Sequence, residues 1–224
     1  MKLYMHPVST TSRTVLLFIA EAKLDVELKV VDLLTGEHHK EPFISINPNR
    51  LVPVLEDGDM ILTECSAILK YLAEKSGSPA YPKDLRQRAK VNEMMDWFNA
   101  NIYRDYGYGL LYPQIFPNHQ RPDDTVHKGT IQWGLEKSKG WLEILDKYLL
   151  GTHKPFLCGD AITIADYMGA VILEAGKAVG CKFSAYPNVE RWMQRMRKLP
   201  SWNKVHEVFY GFADSLKGAR FVSI

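Results

Sequence analysis

Between Leu3 and Lys23 the chain reads LYMHPVSTTSRTVLLFIAEAK, with five hydroxyl side chains, Ser9, Thr10, Thr11, Ser12 and Thr14, between a short apolar run and a helix-like one. Serine and threonine are ordinary helix N-caps, because their oxygens accept from first-turn N–H groups that have no intrahelical partner. One cap suffices for one helix. The surplus hydroxyls are either solvated turn residues or hydrogen-bond donors to a ligand, and no thiol stands among them. His38 and His39 are adjacent, but no H-x-x-x-H pair occurs, so the histidines do not read as a metal site. In NIYRDYGYGLLYPQIF, Tyr103, Tyr106, Tyr108, Tyr112 and Phe116 are interleaved with glycines. That pattern fits a buried helix stripe or an adaptable aromatic wall for an apolar ligand.

The totals bound the class. At 224 residues, 46% hydrophobic and 24% charged, the chain can bury a real core as one large domain or two small ones. A net charge of +2, without a long basic run, points to neither nucleic acid nor an anionic membrane. The three cysteines, Cys65, Cys158 and Cys181, are widely spaced and form no C-x-x-C, which argues against a disulfide framework or a zinc cluster and fits a reducing compartment. MKLYMH lacks the apolar region of a signal peptide, and the run TVLLFIA is far short of a membrane span, so a cytoplasmic protein is expected.

Two halves follow different patterns. Up to Gly77, short strand-like runs alternate with helical ones: KLYMH, a helix over Thr11–Ala22, VELKVVDL, a short turn or helix at PFISINP, then VPVLEDGDMILT and CSAILKYLAEKSG. Asp57-Gly58 between two apolar runs signals a hairpin. From Arg86 onward apolar residues recur at three- and four-residue spacing, predicting a helical bundle. Pro79 and Pro82 mark the boundary, giving a domain over 1–77, a linker over 78–86 and an all-helical domain over 87–224. Thr163 with Asp166 reads as a structural helix start.

A β-α-β unit, a hairpin entered through Val52-Pro53-Val54 and a following set of helices resemble the thioredoxin-like fold carrying an all-helical C-terminal domain. In that fold the turn from the first strand into the first helix stabilises a thiolate with backbone donors and the helix's positive end. Redox members supply the thiol themselves. Here the turn holds Ser9 to Ser12, so a thiolate would arrive with a ligand and take a hydrogen bond from a hydroxyl. The stretches MKLYMHPVSTTSR, LLTGEHHKEPFISINP, RLVPVLEDGDMILTECSAILKYL and GDAITIADY together resemble the cytosolic glutathione transferases, nearest the theta class and its bacterial relatives, over essentially the whole chain.

The resemblance implies glutathione as co-substrate, with Ser9 as the catalytic hydroxyl and Thr10 or Thr11 as the alternatives, while Arg13 is structural. Val52 would pair its backbone with the cysteinyl unit beside a cis Pro53. Glu64 would receive the γ-glutamyl ammonium, the Cys65 N–H with Ser66 the γ-glutamyl carboxylate, and His38, His39 and Arg50 the glycyl carboxylate. Three departures stand out: Cys65 replaces the family's usual Ser, Leu51 a common Lys, and STT the usual S-x-P. The aromatic segment, with Met5 and His6 beside Ser9, would receive an apolar electrophile. A homodimer is implied, with Asn101 reaching the neighbouring subunit's glutathione. The expected activity is attack of the glutathione thiolate on a small electrophile, without a metal. A glutathione-dependent dehalogenase or peroxidase, and a binding scaffold without turnover, are the alternatives.

Overall fold

The computed structural model describes residues Met1–Ile224. The N-terminal part builds one sheet from β1 (Lys2–Met5), β2 (Glu27–Val30), β3 (Val54–Asp57) and β4 (Met60–Leu62), in the order β2-β1-β3-β4. β1 and β2 are parallel because α1 (Thr10–Glu21) carries the chain back between them. β3 returns antiparallel to β1, and the Asp57-Gly58 turn, with Gly58 at φ 64°, reverses the chain into β4. α2 (Phe43–Ile46) is the short helix expected at PFISINP, and α3 (Cys65–Lys75) closes the unit. α1 buries residues on all sides because it lies between the sheet and the helical domain, where Phe18 meets Tyr167 edge to face at 5.6 Å.

After α3 the named elements are helices, among them α4 (Leu85–Trp97), α5 (Tyr112–Ile115), α6 (Asp124–Ile144), α7 (Ile164–Glu174), α8 (Pro187–Met196) and α9 (Trp202–Ser215). α4 starts at Leu85, inside the stretch read as the linker, because the Asp84 side chain caps it by accepting from Gln87 N at 2.9 Å. The helix does not end at Trp97. It continues over Phe98–Leu111 in the wider π pattern, and then enters α5. An i→i+5 winding stacks residues five apart, so Tyr103 and Tyr108 fall on one side. α6 crosses this segment with Gly134 against Gly109 and Leu110; a Cβ at Gly134 would stand 2.6 Å from Leu110 N, so the crossing needs glycine there.

One apolar core runs through both parts, from Leu3 and Leu17 to Trp192 and Trp202. Its polar centre is Asp166. Fully buried, its carboxylate accepts from Leu157 N (2.8 Å), Thr163 N (2.8 Å), Thr163 Oγ1 (2.9 Å) and Trp192 Nε1 (2.9 Å). This is the capping box of α7, extended to fix α8 and the loop before α7. Removing an acceptor that satisfies several buried donors leaves each with a desolvation penalty of about 1–3 kcal/mol. Asp166→Ala is therefore expected to lower the unfolding free energy by about 3 kcal/mol or more, read as a fall in the urea midpoint at unchanged slope; a midpoint equal to the parent's would contradict it.

Candidate active site

Where the start of α1 faces the π-wound segment, α5 and α9, the surface opens into a cleft of about 210 Å³. The sheet domain contributes its polar side: His6, Ser9, Thr10, Thr11, His38, Arg50 and the Val52 edge. The helical domain contributes an apolar and aromatic side: Tyr103, Tyr108, Tyr112, Ile115, Phe116, His119, Phe209 and Phe212. Tyr112 lies 5.6 Å from Phe116, which stacks on Phe212 at 6.0 Å with planes 6° apart.

Each of the five hydroxyls has a partner. Ser9 caps α1, its Oγ accepting from Ser12 N at 3.2 Å. Ser12 Oγ accepts from His6 N, and Thr14 donates to Thr10 O, so these two serve the turn itself. Thr11 donates to the Val52 carbonyl at 3.0 Å, tying α1 to the strand edge, and its oxygen is 3.2 Å from Ser9 Oγ. Thr10 Oγ1 accepts from the Tyr112 hydroxyl at 3.0 Å. Ser9, Thr10 and Thr11 line the cleft; Ser12 and Thr14 do not.

The electrostatics at the base of the cleft are positive. The first N–H groups of α1 point toward it with the positive end of the helix. Arg13, fully buried one turn along, lies 3.7 Å over the Phe209 ring, and none of its guanidinium nitrogens meets an acceptor. Burial lowers its pKa to about 10, which leaves it cationic at neutral pH. The buried Glu174 carboxylate is instead engaged by Arg197 and Tyr210. The imidazoles add little charge, since burial lowers the pKa of His6, His38 and His119. The protein's own thiols are held neutral: burial pushes Cys65 up to about 12 and Cys158 to about 11, and raises Cys181 as well.

The expected site residues divide. His38 lines the cleft with a buried, unpartnered Nδ1, while His39 is exposed, its ring centroid 3.9 Å from that of His38 and its plane tilted by 42°. Arg50 and Leu51 are exposed on the rim, and the Val52-Pro53 bond is cis. Glu64, exposed at the start of α3 with φ 66°, lies outside the cleft lining, as do buried Cys65 and partly exposed Ser66. Asn101 is partly exposed on the π-wound segment and also lies outside it.

Two expectations for the electrophile wall are corrected. Met5 is 6% exposed and belongs to the main core, because strand alternation turns it inward beside Leu3. Tyr106 is fully buried and donates to Leu173 O at 3.0 Å, because the winding places it on the opposite side from Tyr103 and Tyr108. Sequence reading missed Val8, Leu33, Leu34, Ile115, His119, Phe209 and Phe212. Apart from His119 their types are ordinary core types; the i, i+3 pair Phe209 and Phe212 was the available signal.

The family model "Glutathione S-transferase, N-terminal domain" matches residues 1–74, and "Glutathione S-transferase, C-terminal domain" matches 121–200. The human protein "Glutathione S-transferase theta-2B" is 35% identical over 201 residues, covering 88% of this chain and 80% of that one. The chain belongs to the glutathione S-transferase family. Human "Glutathione S-transferase theta-1" is 33% identical over 215 residues, covering 93% of this chain and 88% of that one. The crystal structure of human glutathione transferase theta-2, in complex with glutathione and an unknown ligand, superposes with a TM-score of 0.84 at 30% identity, covering 100% of this chain and 93% of that one. A delta-class glutathione transferase of Nilaparvata lugens gives 0.82 at 31% identity, covering 96% and 98%.

None of the three cysteines lines the cleft, and burial raises the pKa of each. With the native protein at pH 7.5, a thiol-selective maleimide is expected to leave Cys65 unmodified over hours, because the thiol is buried and un-ionised; peptide mapping reads the result. Rapid labelling of Cys65 in the folded protein would contradict the assignment.

Proposed function

We propose that this chain is a glutathione transferase that holds glutathione as a thiolate at the start of α1 and directs it at a small apolar electrophile in the tyrosine-lined half of the cleft. The carrying observation is the juxtaposition of cleft-facing hydroxyls, a helix N-terminus and an unpaired buried Arg13 with an aromatic wall and no ionisable protein thiol. A free thiol with a pKa of about 8.5 must fall toward neutrality to react, and positive potential with a hydroxyl donor drives it that way. Ser9 is the first donor in this reading, since its Oγ stands at the N-cap and in the cleft. Holding both reactants in one cleft supplies proximity.

The rest of glutathione is read along the Val52 edge. Thr11 donates to the Val52 carbonyl, a position the cysteinyl N–H would share or take. His38 and Arg50 face the glycyl end, and Glu64 with the first N–H groups of α3 faces the γ-glutamyl end. The left-handed Glu64, a costly conformation for a side chain with a Cβ, supports a role for that residue at the start of α3. Pairing two copies would bring Asn101 to the neighbouring site, and three free cysteines fit a cytoplasmic location.

Ser9→Ala is expected to keep the fold and most glutathione affinity while lowering turnover about 10- to 100-fold, as loss of a hydrogen bond to a charged sulfur implies. Steady-state kinetics with an aromatic halide, alongside circular dichroism, decide it; full activity would remove Ser9 from this role.

His38 gives a pH signature. Burial lowers its pKa, and a carboxylate bound beside it would raise it. The protonated form is then favoured in the complex, so binding strengthens as pH falls through the bound-state pKa and weakens as pH rises above it. S-methylglutathione, which has no thiol to titrate, should bind more tightly at pH 5.5 than at 7.5, and His38→Gln should flatten that difference. Calorimetric titration showing the same slope in both proteins would refute it.

A further inference from the structure

The tyrosine wall carries hydrogen bonds that an apolar pocket does not require. Tyr103 and Tyr112 hydroxyls are 2.9 Å apart, and Tyr112 donates to Thr10 Oγ1 at 3.0 Å. A phenol owns one proton. With Tyr112's proton on Thr10, Tyr103 must be the donor to Tyr112, so the chain runs Tyr103 to Tyr112 to Thr10, from the helical domain into the turn before α1. Thr10 Oγ1 accepts, and its own proton bonds to no atom of the protein, while the side chain lines the cleft.

The neighbouring hydroxyls are placed differently. Thr11 has committed its proton to the Val52 carbonyl, so in the 3.2 Å contact between Ser9 and Thr11 the donor is Ser9. Of the three cleft-lining hydroxyls in the turn before α1, Thr10 is thus the one with an uncommitted proton. A hydroxyl that accepts a hydrogen bond becomes a better donor, because the chain polarises each O–H in turn.

We propose that Thr10 is a second hydrogen-bond donor to the thiolate of bound glutathione, polarised from behind by Tyr112 and Tyr103. The inference rests on the glutathione transferase reading above and adds to it a catalytic residue and two positioning residues. It makes the helical domain a contributor to the acidity of a thiol bound by the sheet domain. Burial raises the pKa of Tyr112 and lifts that of Tyr103 well above its ordinary value, so both stay protonated and the chain persists through the working pH range.

The test is the thiol pKa of glutathione bound to the full-length protein, read from the ultraviolet absorbance of the thiolate during a pH titration with no electrophile present. Omitting the electrophile separates this role from contacts of Tyr112 with a second substrate. Thr10→Val keeps the shape and leaves the Ser9 cap and the Thr14 bond to the Thr10 carbonyl in place. It is expected to raise the bound thiol's pKa by about one unit, a tenfold loss of thiolate at fixed pH. Thr10→Ser should restore the parent value. Tyr112→Phe should raise the pKa by a smaller amount with Thr10 intact. If the valine disturbs the turn, Thr10→Ala gives the same reading. A folded Thr10→Val or Thr10→Ala protein with the parent's thiol pKa overturns the proposal; a shift there with none in Tyr112→Phe overturns the relay. Failure of the parent itself to bind glutathione would strike the transferase reading instead.

Discussion

Positive potential that nothing cancels, at the start of α1, is the constraint around which this molecule is arranged. A helix end alone offers about half a unit charge, which water would screen at an exposed terminus. Here α1 is clasped between the sheet and α7, and Arg13 is buried behind it without a carboxylate partner. A lone guanidinium inside a protein is expensive to keep, and its burial lowers its pKa without neutralising it. The nearby Glu174 could have neutralised it but is held by Arg197 and Tyr210. The cleft therefore retains an appetite for an anion.

The same low dielectric acts in opposite directions on two kinds of sulfur. Cys65 stands at the start of α3, where a helix end would by itself favour a thiolate, yet burial dominates and pushes the thiol up to about 12. A sulfur at the start of α1 would meet hydroxyl donors, with an unpaired cation buried one turn along the helix. The difference lies in donors and solvent access rather than in helix ends. Under the proposed function, a chain with three free cysteines can thereby leave the chemistry to a thiol it does not own.

The aromatic side of the cleft depends on a local change of helical winding. Over Phe98–Leu111 the wider winding brings Tyr103 and Tyr108 together and turns Tyr106 into the core. Close passage of Gly134 past Gly109 lets α6 press on this segment from behind. Tyr112 then reaches across to Thr10, so the wall of one domain is bonded to the floor of the other. The tyrosines proposed to receive an apolar group are thus the ones hydrogen-bonded to the turn before α1.

Local signals settled much of this protein before any packing was known. Period-two and period-three-or-four spacing separated a sheet domain from a helical one, Asp57-Gly58 marked its hairpin, and Thr163 with Asp166 marked the start of α7. The surplus of hydroxyls after β1 marked a turn that opens onto the cleft, because one cap was enough and five residues were present. Sequence could not divide those hydroxyls into turn-builders and cleft-facing donors; that depends on Val52 and Tyr112, 41 and 102 residues away. Nor could it sort the tyrosines, since a spacing read at the α period misplaces side chains once the helix unwinds to the π pattern. Phe209 and Phe212 reach the cleft from the far end of the chain. Residue type and spacing record what a segment can form; which groups share a cavity is fixed by packing between segments that carry no mark of one another.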